Sequence, residues 1–431
     1  MPRKNHENMG MITMEQLKDK VKAGEIATVV LGFTDTYGKL CGKRIEADFY
    51  IETPHTEVCN YLLACDIEMN PIQGFELFNW EKGFGDLSLA PLESTIRICS
   101  WHEKTALVLA DVNDAHGVPC PVAPRTILKK QLELLEAKHP GYECYAASEI
   151  EYYTYRTSYR DARESSYTEL KSTATYIGDY QLQQASREED IQGKLRKHLV
   201  KSGVPIECSK AEAGIGQHEL NVKYTEMLEM ADRTIVYKQC LKEVAEQLGV
   251  SVTFMAKPSN DQSGSSCHVH VSMLKKDGTS AFYDTTRKWN GLHVSQEFQY
   301  FLGGLIKYIP ECMPFIAPTI NSYKRYAEGS WAPTRLAWCA DNRTAGFRVV
   351  GEGQATRVEV RIPGADANVY LCFAAILACG LEGMRTRVEC PDQFAGDVYA
   401  AKAIPEISKT LADAVRMFDN SAFARYGVCF G

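Results

Sequence analysis

The sequence predicts an α+β fold in two domains, a smaller N-terminal one and a larger C-terminal one. Three observations carry this. The chain has 431 residues, 45% apolar and 24% charged, a globular composition in a chain long enough for two or three domains. Strand-like and helix-like stretches alternate, yet the strands are short and the loops uneven, which favours a mixed α+β domain over a doubly wound parallel sheet. A composition shift at Gly117-Val118-Pro119-Cys120-Pro121 puts a boundary near residue 120, dividing the chain into 12–120 and 121–431.

The elements follow in order. Ile12, Leu17 and Val21 predict a short amphipathic helix over 12–23. Residues 27–34 and 40–45 read as strands around an Asp35-Thr36-Tyr37-Gly38 turn. A stretch rich in glycine and aromatics covers 75–101, and 105–111 is a β-type run. Ile127, Leu128, Leu132 and Leu135 predict a helix over 125–139 that Pro140-Gly141 stops. Further helices are expected at 188–202 and 226–248, the second ending at Gly249.

Charge and cysteine usage remove several classes. Lys plus Arg number 48 against 55 Asp plus Glu, a net charge of -7, which argues against a nucleic-acid partner. Fifteen cysteines are an odd number without any Cys-x-x-Cys pair, so free thiols in a cytoplasmic protein are expected. Residues 1–10 lack the apolar stretch of a signal peptide. The longest apolar run, 369–379, is shorter than the about twenty residues a membrane span needs. No membrane partner is expected.

The chemistry concentrates in four segments. In Glu149-Ile150-Glu151 a strand would place both carboxylates on one face. Cys267-His268-Val269-His270-Val271-Ser272 puts two histidines and a serine together, and Arg357-Val358-Glu359-Val360-Arg361-Ile362 two arginines and a glutamate. Glu212 precedes Glu219, with Gln217 at the parity of Glu219. One such strand is ordinarily a polar face in water. Four of them filled with Glu, His and Arg point instead to metal and phosphate. Carboxylates with one or two histidines suit Mg²⁺ or Mn²⁺ over zinc, and Cys267 has the wrong parity to join His268. Adding arginines suggests two divalent cations handling phosphate. There is no Gly-x-x-x-x-Gly-Lys-Ser/Thr sequence and no Gly-x-Gly-x-x-Gly before a helix, which excludes a P-loop and the usual dinucleotide fingerprint.

These segments resemble glutamine synthetase. The resemblance runs through Glu149-Ile150-Glu151, Glu212 to Glu219, Phe254-Met255-Ala256-Lys257-Pro258 and Ser263-Gly264-Ser265-Ser266-Cys267-His268. It continues in Asn321-Ser322-Tyr323-Lys324-Arg325, in Asn342-Arg343 with Arg348, and in Arg357 to Pro363 followed by Asn368 and Tyr370. The motifs keep the family's order over about residues 145–372, and weaker matches at Asp35–Gly38 and Gly85-Asp86 extend it. It implies a small N-terminal β-grasp domain and a larger catalytic domain with an antiparallel, barrel-like sheet. It also implies a homo-oligomer, usually a double hexameric ring, with sites between subunits. By the same resemblance Glu151, Glu212 and Glu219 hold one Mg²⁺ or Mn²⁺, and Glu149, His268 and Glu359 a second. Arg325, Arg361 and the Gly264 backbone would bind glutamate. Arg343 and Arg348 would face the ATP phosphates, with Arg357 and Ser272 on the nucleotide side. The implied reaction makes an acyl phosphate from glutamate and ATP, which an amine then attacks.

Three positions depart from the glutamine-forming pattern. Gly329-Ser330-Trp331-Ala332-Pro333 carries Trp331 where the family has a flap glutamate serving ammonium. Asn70-Pro71-Ile72-Gln73-Gly74 stands for an Asp-Gly-Ser-Ser segment, and Gln354 for a lysine near the nucleotide. NH₄⁺ needs negative charge to replace its water, whereas an indole offers an apolar π surface. The expectation is therefore a glutamate–amine ligase, with Trp331 in the amine pocket on a loop that closes over the acyl phosphate. Ammonium-using glutamine synthesis and a non-catalytic structural role are the alternatives.

Overall fold

A computed structural model describes residues 9–428, apart from the Tyr426 side chain. The reading of residues 1–8 lies outside the described residues. Contacts divide the chain into two compact units. The first comprises residues up to Ile127 together with Glu189–Ile206 and Asp232–Leu248, and the second comprises the rest.

The first unit is built on a six-stranded sheet of β1 (Thr28–Thr34), β2 (Leu40–Glu46), β3 (Thr56–Cys59), β4 (Asp86–Pro91), β5 (Arg97–Ile98) and β6 (Thr105–Asn113). The strand order is β2-β1-β6-β4-β3, with β5 beside β6. β1 and β6 run parallel, from Thr28 opposite Thr105 to Gly32 opposite Leu109, and the other pairs are antiparallel. Alternation along β1 and β6 buries Val29, Leu31 and Phe33 with Ala106, Val108, Ala110 and Val112. Leu17, from the helix Met14–Lys22, and Tyr50 close that core. The helix starts at a capping box in which Thr13 and Gln16 exchange side-chain and backbone bonds.

The second unit contains β7 (Tyr142–Tyr155), β8 (Ile206–Ala211, all but its first residue), β9 (Gln217–Val222), β10 (Thr225–Glu226), β11 (Ser251–Thr253), β12 (Cys267–Lys275), β13 (Trp338–Ala340), β14 (Phe347–Val350) and β15 (Arg357–Val360). They form one barrel-like sheet in the order β13-β14-β15-β12-β7-β9-β8, with β10 and β11 also on β7. The long β7 is its spine, because both edges of one 14-residue strand carry neighbours. β7 pairs antiparallel with β9, β10, β11 and β12, and β15 antiparallel with β12 and β14, whereas β13 and β14 run parallel, a pair that the expected antiparallel sheet did not contain. Asp341, in the connection between these two strands, takes a left-handed φ of 45°.

Ile150, Tyr152, Leu220, Cys267, Val269, Val271, Val358 and Val360 fill the apolar side of this sheet. Elsewhere in the unit, helices Gln296–Tyr308 and Val369–Thr386 pack closely, since a Cβ on Gly383 would meet Gly304 Cα at 2.4 Å. Val369–Thr386 is long and apolar enough to cross a membrane, but 72% of its apolar window is buried. It is a core helix of this unit.

Candidate active site

Strand parity and register assemble the site. Residues opposite one another on paired strands share a face. Glu149 lies opposite both His268 and Asn221, and Glu151 opposite Glu219. His270 lies opposite Glu359, which in turn lies opposite Arg348. One face of five strands therefore carries the carboxylates, histidines and arginines, while the other is core. This polar face is not a wet exterior: Glu151, Glu219, His268, His270, Glu359, Arg325 and Arg361 are all buried.

Three carboxylates converge first. Glu151, Glu212 and Glu219 offer oxygens all within 4.8 Å of one another. Ser266 N and Gln217 Nε2 donate to Glu151 Oε2 at 2.9 and 3.2 Å and orient it. Burial and then Glu212 push the Glu151 carboxyl up to about 7. Burial, Glu149, Glu212 and Glu151 push Glu219 up to about 9. Crowded carboxylates of this kind are what a hard divalent cation relieves, and an all-oxygen donor set fits Mg²⁺ or Mn²⁺.

The second cluster mixes charges. His268 Nδ1 stands 3.6 Å from both Glu149 Oε2 and Glu359 Oε1. His270 Nε2 is 3.0 Å from Glu149 Oε1, and Arg357 Nε donates to its Nδ1 at 3.3 Å. Glu149 also groups with Glu219 and His268, and with His270 and Glu359, at metal-ligand separations. Glu359, with 0% exposure, accepts from Arg348 Nη1 at 2.9 Å and from Arg361 Nη1 at 2.5 Å. Burial alone would raise its carboxyl, but His268, Arg361 and His270 hold it down at about 2. Glu149 is lowered against its own burial by His268 and His270. Burial and Arg361 lower His268 to about 4, leaving a neutral imidazole able to ligate.

The arginines differ in placement. Arg325 is buried to 1% exposure, with Nη1 on the Ile362 carbonyl (2.7 Å) and Nη2 on that of Arg361 (2.8 Å), while its Nε has no hydrogen-bond partner among the described residues. Gly264 makes room for it, because a Cβ there would meet Arg325 Cγ at 2.4 Å. Arg361 Nε also donates to the Arg343 carbonyl at 3.2 Å. Arg348 bonds Asp341 through Nε and Nη2. The Arg343 side chain is exposed, and Ser272 is half-buried on the His268 face of β12. Trp331 is 60% exposed with a left-handed φ of 63°, beside Ala332, whose carbonyl accepts from Tyr399 Oη at 2.9 Å. Gln354 Oε1 accepts from Ser280 N at 2.6 Å. In the first unit Asn70 bonds Asp66.

Two residues that the sequence placed on polar strand faces without a ligand assignment, His270 and Gln217, and two that it did not single out, Tyr153 and Lys210, belong to this face or its rim. His270 joins a ligand-type group, Gln217 bridges Glu151 and the Gly264 carbonyl, and Tyr153 Oη donates to the Ser263 carbonyl at 2.7 Å. Their strand parity was the available signal, since Tyr153 follows Glu149 and Glu151 in step. Lys210, two residues before Glu212, contacts Glu212 Oε1.

The family model for the glutamine synthetase catalytic domain matches residues 121–431. The gamma-glutamylethanolamide synthetase of Streptomyces coelicolor is 40% identical over 415 residues, covering 96% of this chain and 88% of that protein. A glutamate–isopropylamine ligase from a Pseudomonas species is 36% identical over 418 residues, 95% of this chain and 90% of the relative. The glutamine synthetase of Thermotoga maritima is 31% identical over 392 residues, covering 90% and 84%. A solved GmaS–ADP complex matches with a TM-score of 0.83 at 26% identity, over 97% of this chain and 92% of that one. The chain belongs to the glutamine synthetase family. Within that family it is an ATP-dependent ligase.

Proposed function

We propose that this protein joins the γ-carboxylate of glutamate to an organic amine through a γ-glutamyl phosphate. The observation that carries the amine is Trp331, six residues after Arg325 in a chain that also keeps the carboxylates, histidines and arginines of the site. The names of the two amine-ligating relatives support it. In the first step a γ-carboxylate oxygen attacks the terminal phosphorus of ATP, and ADP leaves. In the second the amine nitrogen attacks the acyl carbon, phosphate leaves, and the nitrogen gives up a proton.

Glu151, Glu212 and Glu219 would hold one Mg²⁺ or Mn²⁺, and Glu149, His268 and Glu359 another. Such cations supply charge neutralisation for transferring phosphate. Arg325, through its unpartnered Nε, together with Arg361 and the Gly264 backbone, would orient the glutamate. Arg343 and Arg348 would meet phosphate oxygens, with Arg357 and Ser272 on the nucleotide side. Trp331 would pack on the carbon skeleton of the amine and keep water from the acyl phosphate. We assign the active form to a homo-oligomer, a double hexameric ring, in the cytoplasm.

Phosphate release from ATP and glutamate, measured across ammonium, alkylamines, ethanolamine, polyamines and anilines, tests this. Release that depends on an organic amine and not on ammonium is expected. Release with ammonium alone would make the protein a glutamine synthetase. No turnover with any amine, in an intact oligomer, would make it a structural relative.

A further inference from the structure

At the rim of the three-carboxylate cluster, a lysine already occupies one of the carboxylates. Lys210 lies on β8 and Glu212 one residue past its end, and the two side chains meet. Its Nζ contacts Glu212 Oε1, lies 3.2 Å from Asp179 Oδ1 and 3.5 Å from the Ala211 carbonyl, and stands 4.2 Å from the centroid of the Tyr180 ring. Two carboxylates, a carbonyl and a π face thus surround one ammonium. Tyr180 holds a left-handed φ of 57° while its ring takes this position, a strained conformation for a bulky residue that needs a compensating contact.

The seat is divided between two owners. Glu212 belongs to the group with Glu151 and Glu219. Asp179 and Tyr180 lie outside that group and are more exposed. Lys210 therefore has somewhere to remain when Glu212 turns fully to another cation. Its single charge also offsets part of the repulsion among three crowded carboxylates, two of them buried, which otherwise opposes folding of this face.

We propose that Lys210 is a positioning residue, a tethered cation that holds Glu212 before a divalent cation arrives and competes with that cation for the carboxylate. The inference rests on the reading of Glu151, Glu212 and Glu219 as a metal site. It assigns this chain a built-in opposition to metal binding: Lys210 lowers divalent affinity and stabilises the chelated protein. Positive charge close to an incoming divalent ion repels it even at the effective dielectric of a protein rim.

The test is Mn²⁺ titration of the EDTA-stripped full chain, with free Mn²⁺ read by electron paramagnetic resonance, beside thermal unfolding. Lys210→Met and Lys210→Gln should bind Mn²⁺ about tenfold more tightly than wild type. Both should unfold at lower temperature when chelated, a deficit that saturating Mn²⁺ removes. Lys210→Arg should restore wild-type behaviour in both measurements. A merely structural lysine would leave Mn²⁺ binding unchanged or weakened on removal, and either result overturns the proposal. Glu219→Gln separates the two readings. If it weakens Mn²⁺ binding while the Lys210 variants do not tighten it, only the lysine proposal fails. If it leaves Mn²⁺ binding untouched, the metal-site reading fails and takes the proposal with it.

Discussion

At the scale of single residues, the fold spends stability to crowd like charges. Glu151 and Glu219 would ionise near 4.5 in an unfolded chain, but are raised to about 7 and about 9 in the fold. Between those limits the folded state binds more protons than the unfolded one, so stability must fall as pH rises through that window. Opposite behaviour holds at Glu359, whose depressed carboxyl adds stability above pH 4.5 that is lost as pH falls towards about 2. Chelated protein should therefore show a falling Tm from about pH 6 to 9. Adding Mg²⁺ or Mn²⁺ should raise Tm more at the alkaline end, because the cation replaces protons that have left. Thermal scans at several pH values with EDTA or metal check this, and a metal increment that does not grow with pH would count against a carboxylate metal site.

Among the elements, β7 does most to organise the site, since its alternate residues Glu149, Glu151 and Tyr153 face one way and Ile150 and Tyr152 the other. The parity of each strand was legible in the sequence, and the structure keeps it. Burial of the polar face was not legible, because alternation reads the same whether the polar side meets water or the inside of a curved sheet. The loop from Arg325 to Pro333 is the second decisive element. A tryptophan with a positive φ is a strained residue, held here beside the Tyr399 contact to Ala332. Trp331→Ala should raise the KM for the amine about 5- to 150-fold, equivalent to about 1–3 kcal/mol of lost aromatic contact, and increase amine-free phosphate release. Unchanged KM and unchanged coupling in paired assays would leave Trp331 a structural residue only.

For the whole molecule, the informative surface is apolar. Within the first unit, Ile67, Met69, Ile72, Phe75, Leu77 and Trp80 are all exposed, Trp80 to 67%. Six large apolar side chains within fourteen residues are more than a solitary subunit ordinarily leaves in water. Light scattering after gel filtration should give a mass several times 48.2 kDa. Trp80→Asp should shift the population to smaller species, since a buried carboxylate without a partner opposes association. An unchanged mass for that variant would remove this segment from the subunit contact.

What the amino-acid order determined by itself was local. It set strand parity, the helices at Pro124–Lys138, Glu189–Lys201 and Met227–Gln247, the mixed fold class, and which residue types could meet metal and phosphate. Those follow from periodicities of two and 3.6 and from side-chain chemistry, which act over a few neighbours. Tertiary structure decided the rest. Register brought Glu151 opposite Glu219 and His270 opposite Glu359, pairs separated by 68 and 89 positions. Glu189–Ile206 and Asp232–Leu248 joined the N-terminal compact unit although they lie far along the chain. Such choices depend on which surfaces exclude water together, and only the folded chain brings those surfaces into contact.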